Sequence, residues 1–122
     1  MICRAHRDVD FSIVIPAYNE ERLLPLTLAH INSCLDQLNE YHGEIIVVDN
    51  ASTDQTIEIA LEKGAKVIKE SERSIARTRN KGAGEAQGAI LIFIDADTIV
   101  PLEVLREALD LMRNPLYGGG GA

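Results

Sequence analysis

Two aspartates one residue apart, Asp95 and Asp97, close the run ILIFIDADT at residues 90–98. Like charges this close repel unless a cation or a hydrogen-bond donor separates them. If residues 95–97 stay extended, both carboxylates point to the same side. Magnesium or manganese suits such a pair. These ions take one or two carboxylates and fill the remaining positions with water and substrate phosphate. The plainer reading makes one aspartate a helix cap and leaves the other solvated.

Two further apolar runs end in polar residues. Asp49 closes IIVVD and can accept hydrogen bonds from a base or a ribose, or form a turn with Asn50. PAYNE at residues 16–20 either ends a strand at Pro16 and starts a helix at Asn19 or Glu20, or forms a loop whose backbone cradles a nucleotide. In the second case Tyr18 lies beside the base and Glu20 meets polar edges. Seven of the twelve Lys and Arg residues fall between positions 63 and 81: Lys63, Lys66, Lys69, Arg73, Arg77, Arg79 and Lys81. Most read as a solvated face. One or two Arg side chains could reach a diphosphate, which their forked geometry favours. His6, His30 and His42 form no cluster, and His30 reads as a surface or packing residue of a helix.

These residues need elements to hold them. Strands are expected at about 11–16, 44–49, 65–69 and 89–95. The first, second and fourth are continuous and rich in Ile and Val, as in a parallel sheet buried on both faces. Helices fill the gaps. Leu28, Ile31, Leu35 and Leu38 make one apolar stripe, with Pro25 in the first turn. Ser52 and Gln55 form a candidate capping box, and Gly64 closes that helix. Ser74 opens the third helix. Pro101 opens the fourth, whose stripe is Leu102, Leu105, Leu109 and Met112. The expected fold is α/β: a Rossmann-like parallel sheet flanked by helices, with right-handed crossovers. Gly82 and Gly84 each cost a helix about 1 kcal/mol against Ala, which suits a helix packed close on the sheet. GAGEAQG at residues 82–88 imitates a dinucleotide fingerprint. It ends a helix and precedes a strand, whereas that fingerprint must follow a strand.

Bulk properties narrow the class. A chain of 122 residues fits one domain with a real core. Its net charge of -7 disfavours nucleic acid as a partner. Cys3 and Cys34 form no metal spacing, so a reduced compartment is expected. No apolar run approaches the roughly 18 residues of a membrane span. MICRAHRDVD has no apolar signal core, so a cytoplasmic location is expected.

Taken together and in order, SIVIPAYNEE, IIVVDNASTDQT and TRNKGAGEAQGAILIFIDADT resemble the nucleotide-sugar-binding half of glycosyltransferase family 2, of the GT-A fold. The resemblance implies a lead-in at residues 1–11 and a donor-binding part at 12–122, truncated after about four strands. It implies that Pro16, Ala17, Tyr18 and Glu20 hold the nucleoside and that Asp49 recognises the base. Arg79 and Asn80 would face the nucleotide. Asp95 would lie near ribose and sugar, and Asp97, with Asp95, on a divalent metal, Mn2+ or Mg2+, at the DxD motif. The implied donor is a nucleotide-diphospho-sugar, a UDP-sugar being favoured, and the implied reaction is transfer to an acceptor hydroxyl with inversion. The acceptor (saccharide, lipid or protein) is unknown, and the general base is expected in an acceptor-binding half that follows in the family and not here. MRNPLYGGGGA resembles the start of that next part. An uncovered sheet edge would favour self-association, and a full-length parent could sit peripherally at a membrane.

Four other readings compete. A phosphatase of the haloacid dehalogenase type also places DxD after a buried strand. Its usual Gly-Thr after the second Asp is Thr98-Ile99 here, and its motif opens the domain. A nucleotidyltransferase would need a Gly-rich loop after the first strand, and PAYNEERLLP has no glycine. A non-catalytic nucleotide-binding module, or an inert fragment without a stable fold, would keep the motifs without turnover.

Overall fold

Phe11–Ala17 (β1) and Gly43–Asp49 (β2) are the two central strands, and both are almost wholly buried. A computed structural model describes residues 9–113. The remaining elements are α1 (Leu24–Gln37), α2 (Thr56–Glu62), β3 (Lys66–Lys69), α3 (Ile75–Glu85), β4 (Ile90–Phe93) and α4 (Leu102–Arg113). The sheet order is β3-β2-β1-β4, and all pairs are parallel. The expected strand and helix alternation is therefore present. Cys3, His6, most of the lead-in and the glycine-rich end lie outside the described residues.

Alternating residues of β1 divide the core. Phe11, Ile13 and Ile15 point into a large cluster with Leu24, Leu28 and Ile31 of α1, Ala60 of α2, and Leu105 and Leu109 of α4. Val14 points the other way and joins Ile46 and Val48 beneath α3. The contact there is close. A Cβ on Gly82 would come within 2.3 Å of Val14 Cγ1 and 3.0 Å of Val48 Cγ2. Gly84 has nothing within 4 Å, so the close approach expected of both glycines belongs to Gly82 alone. Gly88 is constrained by backbone instead of side chain, since a Cβ would lie 2.5 Å from the Phe11 carbonyl carbon.

Several local expectations are corrected. Among the described residues β4 is an edge strand, shorter than expected, and is not buried on both faces: Leu91 and Phe93 are exposed on the α3 side. Parallel pairing covers only one of its edges, and α3 packs on β1 and β2 instead. Ser52 caps nothing. α2 starts four residues later, and its N-cap Gln55 makes no side-chain bond. Met112 is exposed with Leu111, because the core beneath α4 ends at Leu109. Other signals act as expected. Pro25 sits in the first turn of α1, Ser74 Oγ accepts from Arg77 N, and Gly64 takes φ +87° after α2. Pro101 lies just ahead of α4, and its carbonyl accepts from Val104 N and Leu105 N, both at 3.1 Å.

Candidate functional site

The chain runs β1, β2, β3 towards one edge and then returns to place β4 on the other side of β1. Strand order therefore reverses between β1 and β4, where open α/β sheets bind ligands beyond the carboxyl ends of their strands. PAYNE follows β1 and DADT follows β4, so the topology brings the two motifs to the same crevice.

The loops after β1 and β2 are sewn together. Asn19 N donates to Ser52 Oγ at 2.9 Å, and Thr53 N donates to Asn19 Oδ1 at 2.7 Å. Glu20 N donates to Thr56 Oγ1 at 2.9 Å, and Thr56 Oγ1 donates to Asp54 Oδ1 at 2.5 Å. Glu21 and Asp54 exchange with the opposite loop in the same way. Asn19 and Ala51 take positive φ, 51° and 64°. Such conformations cost about 1 kcal/mol or more and collect at ligand sites. Burial pushes the Asp54 carboxyl up, but bonds from Thr56 and the Glu21 N–H outweigh it and hold the group below its ordinary range.

Beside this network lies a pocket of about 360 Å³ that contains Pro16, Ala17, Tyr18 and Glu20 of the first motif. Its other wall is the loop after β3. Asn50 holds that loop by donating through Nδ2 to Glu70 O at 2.8 Å and Glu72 O at 2.6 Å. The result sets the Arg73 guanidinium 3.7 Å from the centroid of the Tyr18 ring. Sequence reasoning saw Arg73 only as one member of a basic run. No short-range pattern signals its pairing with Tyr18, which lies 55 positions earlier in the numbering. Asp49 is 2% exposed. Its Oδ2 accepts from Ser52 N at 3.1 Å, while Oδ1 is buried with no partner. A buried carboxylate oxygen left unbonded is costly, but Asp49 does not line the Tyr18 pocket: it borders a separate hollow with Ala51, Ile57 and Lys69.

Asp95 and Asp97 are both exposed, and Ala96 between them is buried. The segment is not extended as supposed. It turns, with Thr98 N donating to Asp95 O at 3.1 Å. Both carboxylates nonetheless act on Glu20. Burial, and then the charges of Asp97, Asp54 and Asp95, push the Glu20 carboxyl above its ordinary range. Among the described residues, no three His, Cys, Asp or Glu side chains already form a metal cage. The donor set still fits a hard divalent ion. It is all carboxylate oxygen and mutually repelling, and such ions complete their shell with phosphate and water. Of the two helix residues expected here, Arg79 stands 5.6 Å from the ring centroid of Phe93 on β4. Asn80 lies apart, in a separate hollow with Glu70, Arg77 and Lys81.

These features define an open, Rossmann-like parallel α/β domain with its crevice at the switch point. Comparison with known proteins narrows the class. The sequence profile described as Glycosyl transferase family 2 matches residues 12–119. Dolichol-phosphate mannosyltransferase of Pyrococcus furiosus is 32% identical over 108 residues, covering 84% of this chain and 30% of the relative. Among solved structures, a mannosyltransferase from Pyrobaculum calidifontis in complex with GDP-Man and Mn2+ superposes with a TM-score of 0.76. It is 26% identical over 92% of this chain and 37% of its own. TarS of S. aureus in complex with UDP gives a TM-score of 0.72 at 28% identity, over 86% of this chain and 32% of its own. The chain belongs to glycosyl transferase family 2 and has the GT-A fold. It spans about a third of the length of the relatives it matches.

Proposed function

We propose that this chain is the donor-binding part of a glycosyltransferase and takes a nucleotide-diphospho-sugar in the crevice between β1 and β4. The observation that carries the reading is a juxtaposition. A ring-and-guanidinium pocket at Tyr18 and Arg73 stands next to a cluster of repelling carboxylates, Glu20, Asp95 and Asp97. The nucleoside lies in the pocket at Tyr18 and Arg73, with Asp49, next in sequence to the pocket residue Asn50, the acidic group expected to recognise the base. The diphosphate extends toward Asp95 and Asp97, within reach of Arg73 or Arg79. Asp95 and Asp97 would hold a divalent metal, whose positive charge would offset the charge developing on the departing nucleoside diphosphate. The sugar then passes with inversion to an acceptor hydroxyl, deprotonated by a carboxylate from a part of the protein beyond this chain. UDP is the favoured nucleotide.

Two secondary proposals belong to the same reading. Copies of this chain associate through the β4 edge, where Leu91 and Phe93 are exposed, which sedimentation over a concentration range tests. The protein works in the cytoplasm, peripherally at a membrane in a longer parent. No helix among the described residues is long and apolar enough to cross one.

Calorimetric titration with UDP, with and without Mn2+, tests the central claim. Binding should strengthen with Mn2+, and Asp97→Asn should remove that gain. A folded chain that binds none of UDP, GDP or dTDP would sink the donor-site reading for this chain. Nucleotide binding with no donor hydrolysis or transfer, even with acceptor and the remaining domain supplied, would favour a binding module.

A further inference from the structure

Thr27 stands in the apolar stripe of α1, between Leu24, Leu28 and Ile31, and is 1% exposed. A hydroxyl buried there costs stability unless it is bonded, and a helical threonine usually bonds the carbonyl four residues back. Thr27 Oγ1 instead donates to Ala96 O at 2.6 Å, across 69 positions of sequence. Ala96 is the residue between the two aspartates. One turn further along α1, His30 Nε2 lies 2.6 Å from Val100 O. A carbonyl only accepts, so Nε2 carries the proton and donates.

The segment from Ile94 to Pro101 is thus pinned at intervals. Ile94 N donates to Val14 O at 3.1 Å, Ala96 O is held by Thr27, Thr98 N is held by Asp95 O, and Val100 O is held by His30. The bonds fall on the backbone, while the carboxylates of Asp95 and Asp97 face outward. We infer that Thr27 and His30 are positioning residues, which fix the backbone of the aspartate loop so that both carboxylates meet one divalent ion. This rests on the donor-site reading for the ion itself, and assigns the loop's geometry to α1.

Residues that orient ligands from behind typically change metal affinity by about 10–100-fold when removed. UDP titration with and without Mn2+ on the full 122-residue chain, as wild type, Thr27→Val, Thr27→Ser and His30→Gln, reads the effect. Thr27→Val should lower the Mn2+-dependent gain about tenfold or more and leave metal-free UDP binding within about twofold. Thr27→Ser should restore the gain. His30→Gln, at a half-exposed site that keeps a donor, should fall between them. An unchanged gain in Thr27→Val, or an equal loss with and without metal, overturns the inference. Amide exchange at Thr98 supplies a readout free of any ligand. If wild type shows no Mn2+ gain, the donor-site reading fails by itself. The anchoring role then stands if Thr98 exchanges about tenfold faster in Thr27→Val and falls if it does not.

Discussion

The two sides of the crevice are built differently. On the β1–β2 side, backbone and side chains of two loops bond each other repeatedly through Asn19, Glu21, Ser52, Asp54 and Thr56. On the β4 side, a single loop hangs from the sheet edge. Its ties to α1 and β1 are made through its backbone, and its two carboxylates stay exposed, Asp97 accepting only from the neighbouring Thr98 hydroxyl among the described residues. On the proposed donor-site reading, the first side is preorganised for a rigid object such as a nucleoside, and the second holds its charges for a metal ion whose remaining ligands would come from the diphosphate and water. A metal-side change should therefore act only when the ion is present, and a nucleoside-side change should act regardless.

The largest expected effect lies on the metal side. Asp97→Asn should erase the Mn2+ enhancement of UDP binding, a loss of at least about tenfold, with metal-free binding and thermal stability near wild type. A matching loss without metal would break the comparison. Next comes Thr56→Val, which leaves Glu20 N without its acceptor and takes from Asp54 the hydroxyl bond, while Thr56 N and Glu21 N still donate to that carboxylate. About 1 kcal/mol of stability should go, because a half-buried backbone N–H loses its acceptor, and UDP should bind more weakly with and without Mn2+. Arg73→Ala removes the guanidinium from the Tyr18 ring. Titration should show UDP weakened about fivefold, equally in both metal conditions, in keeping with an exposed cation–π contact.

The smallest effect concerns acid. Asp54 is held low as described. At Glu70 the Glu72 N–H, and then Arg77 and Lys81, outweigh the upward push of burial. Both folded carboxyls thus lie below their unfolded values, which are about 4. Their stabilisation is complete above that pH and is lost as pH falls through the folded values. Chemical denaturation between about pH 5 and pH 2.5 should show the decline. Asp54→Asn should flatten part of it, and Glu70→Gln another part.

Much of the fold was legible because it depends on local pattern. The Ile and Val runs gave the strands, Pro25 and Ser74 fell at helix starts, and Gly64 fell at a helix end. The misses depend on distant partners. Ser52 and Gln55 have capping spacing, yet the Ser52 hydroxyl accepts from Asn19 N, 33 positions away. β4 has the composition of a central strand, and nothing in its own residues says that it lies at the border. Of the site, both aspartates, Asp49 and PAYNE were legible from their place at strand ends. Thr27 was not, since a threonine within a leucine stripe shows no partner until the fold brings Ala96 to it. Arg73 was hidden among seven basic residues until Asn50 held its loop.

The border position of β4 decides how the molecule can grow. A strand added beyond β3 would lie about 19 Å from β4, four sheet spacings away. A strand added beside β4 would lie about 5 Å from it, next to the loop that carries Asp95 and Asp97. Widening the sheet on that flank and walling in the aspartate end of the crevice are therefore one architectural step. Sequence changes in such an added strand would alter what faces Asp95 and Asp97 while leaving the pocket at Tyr18 and Arg73 untouched.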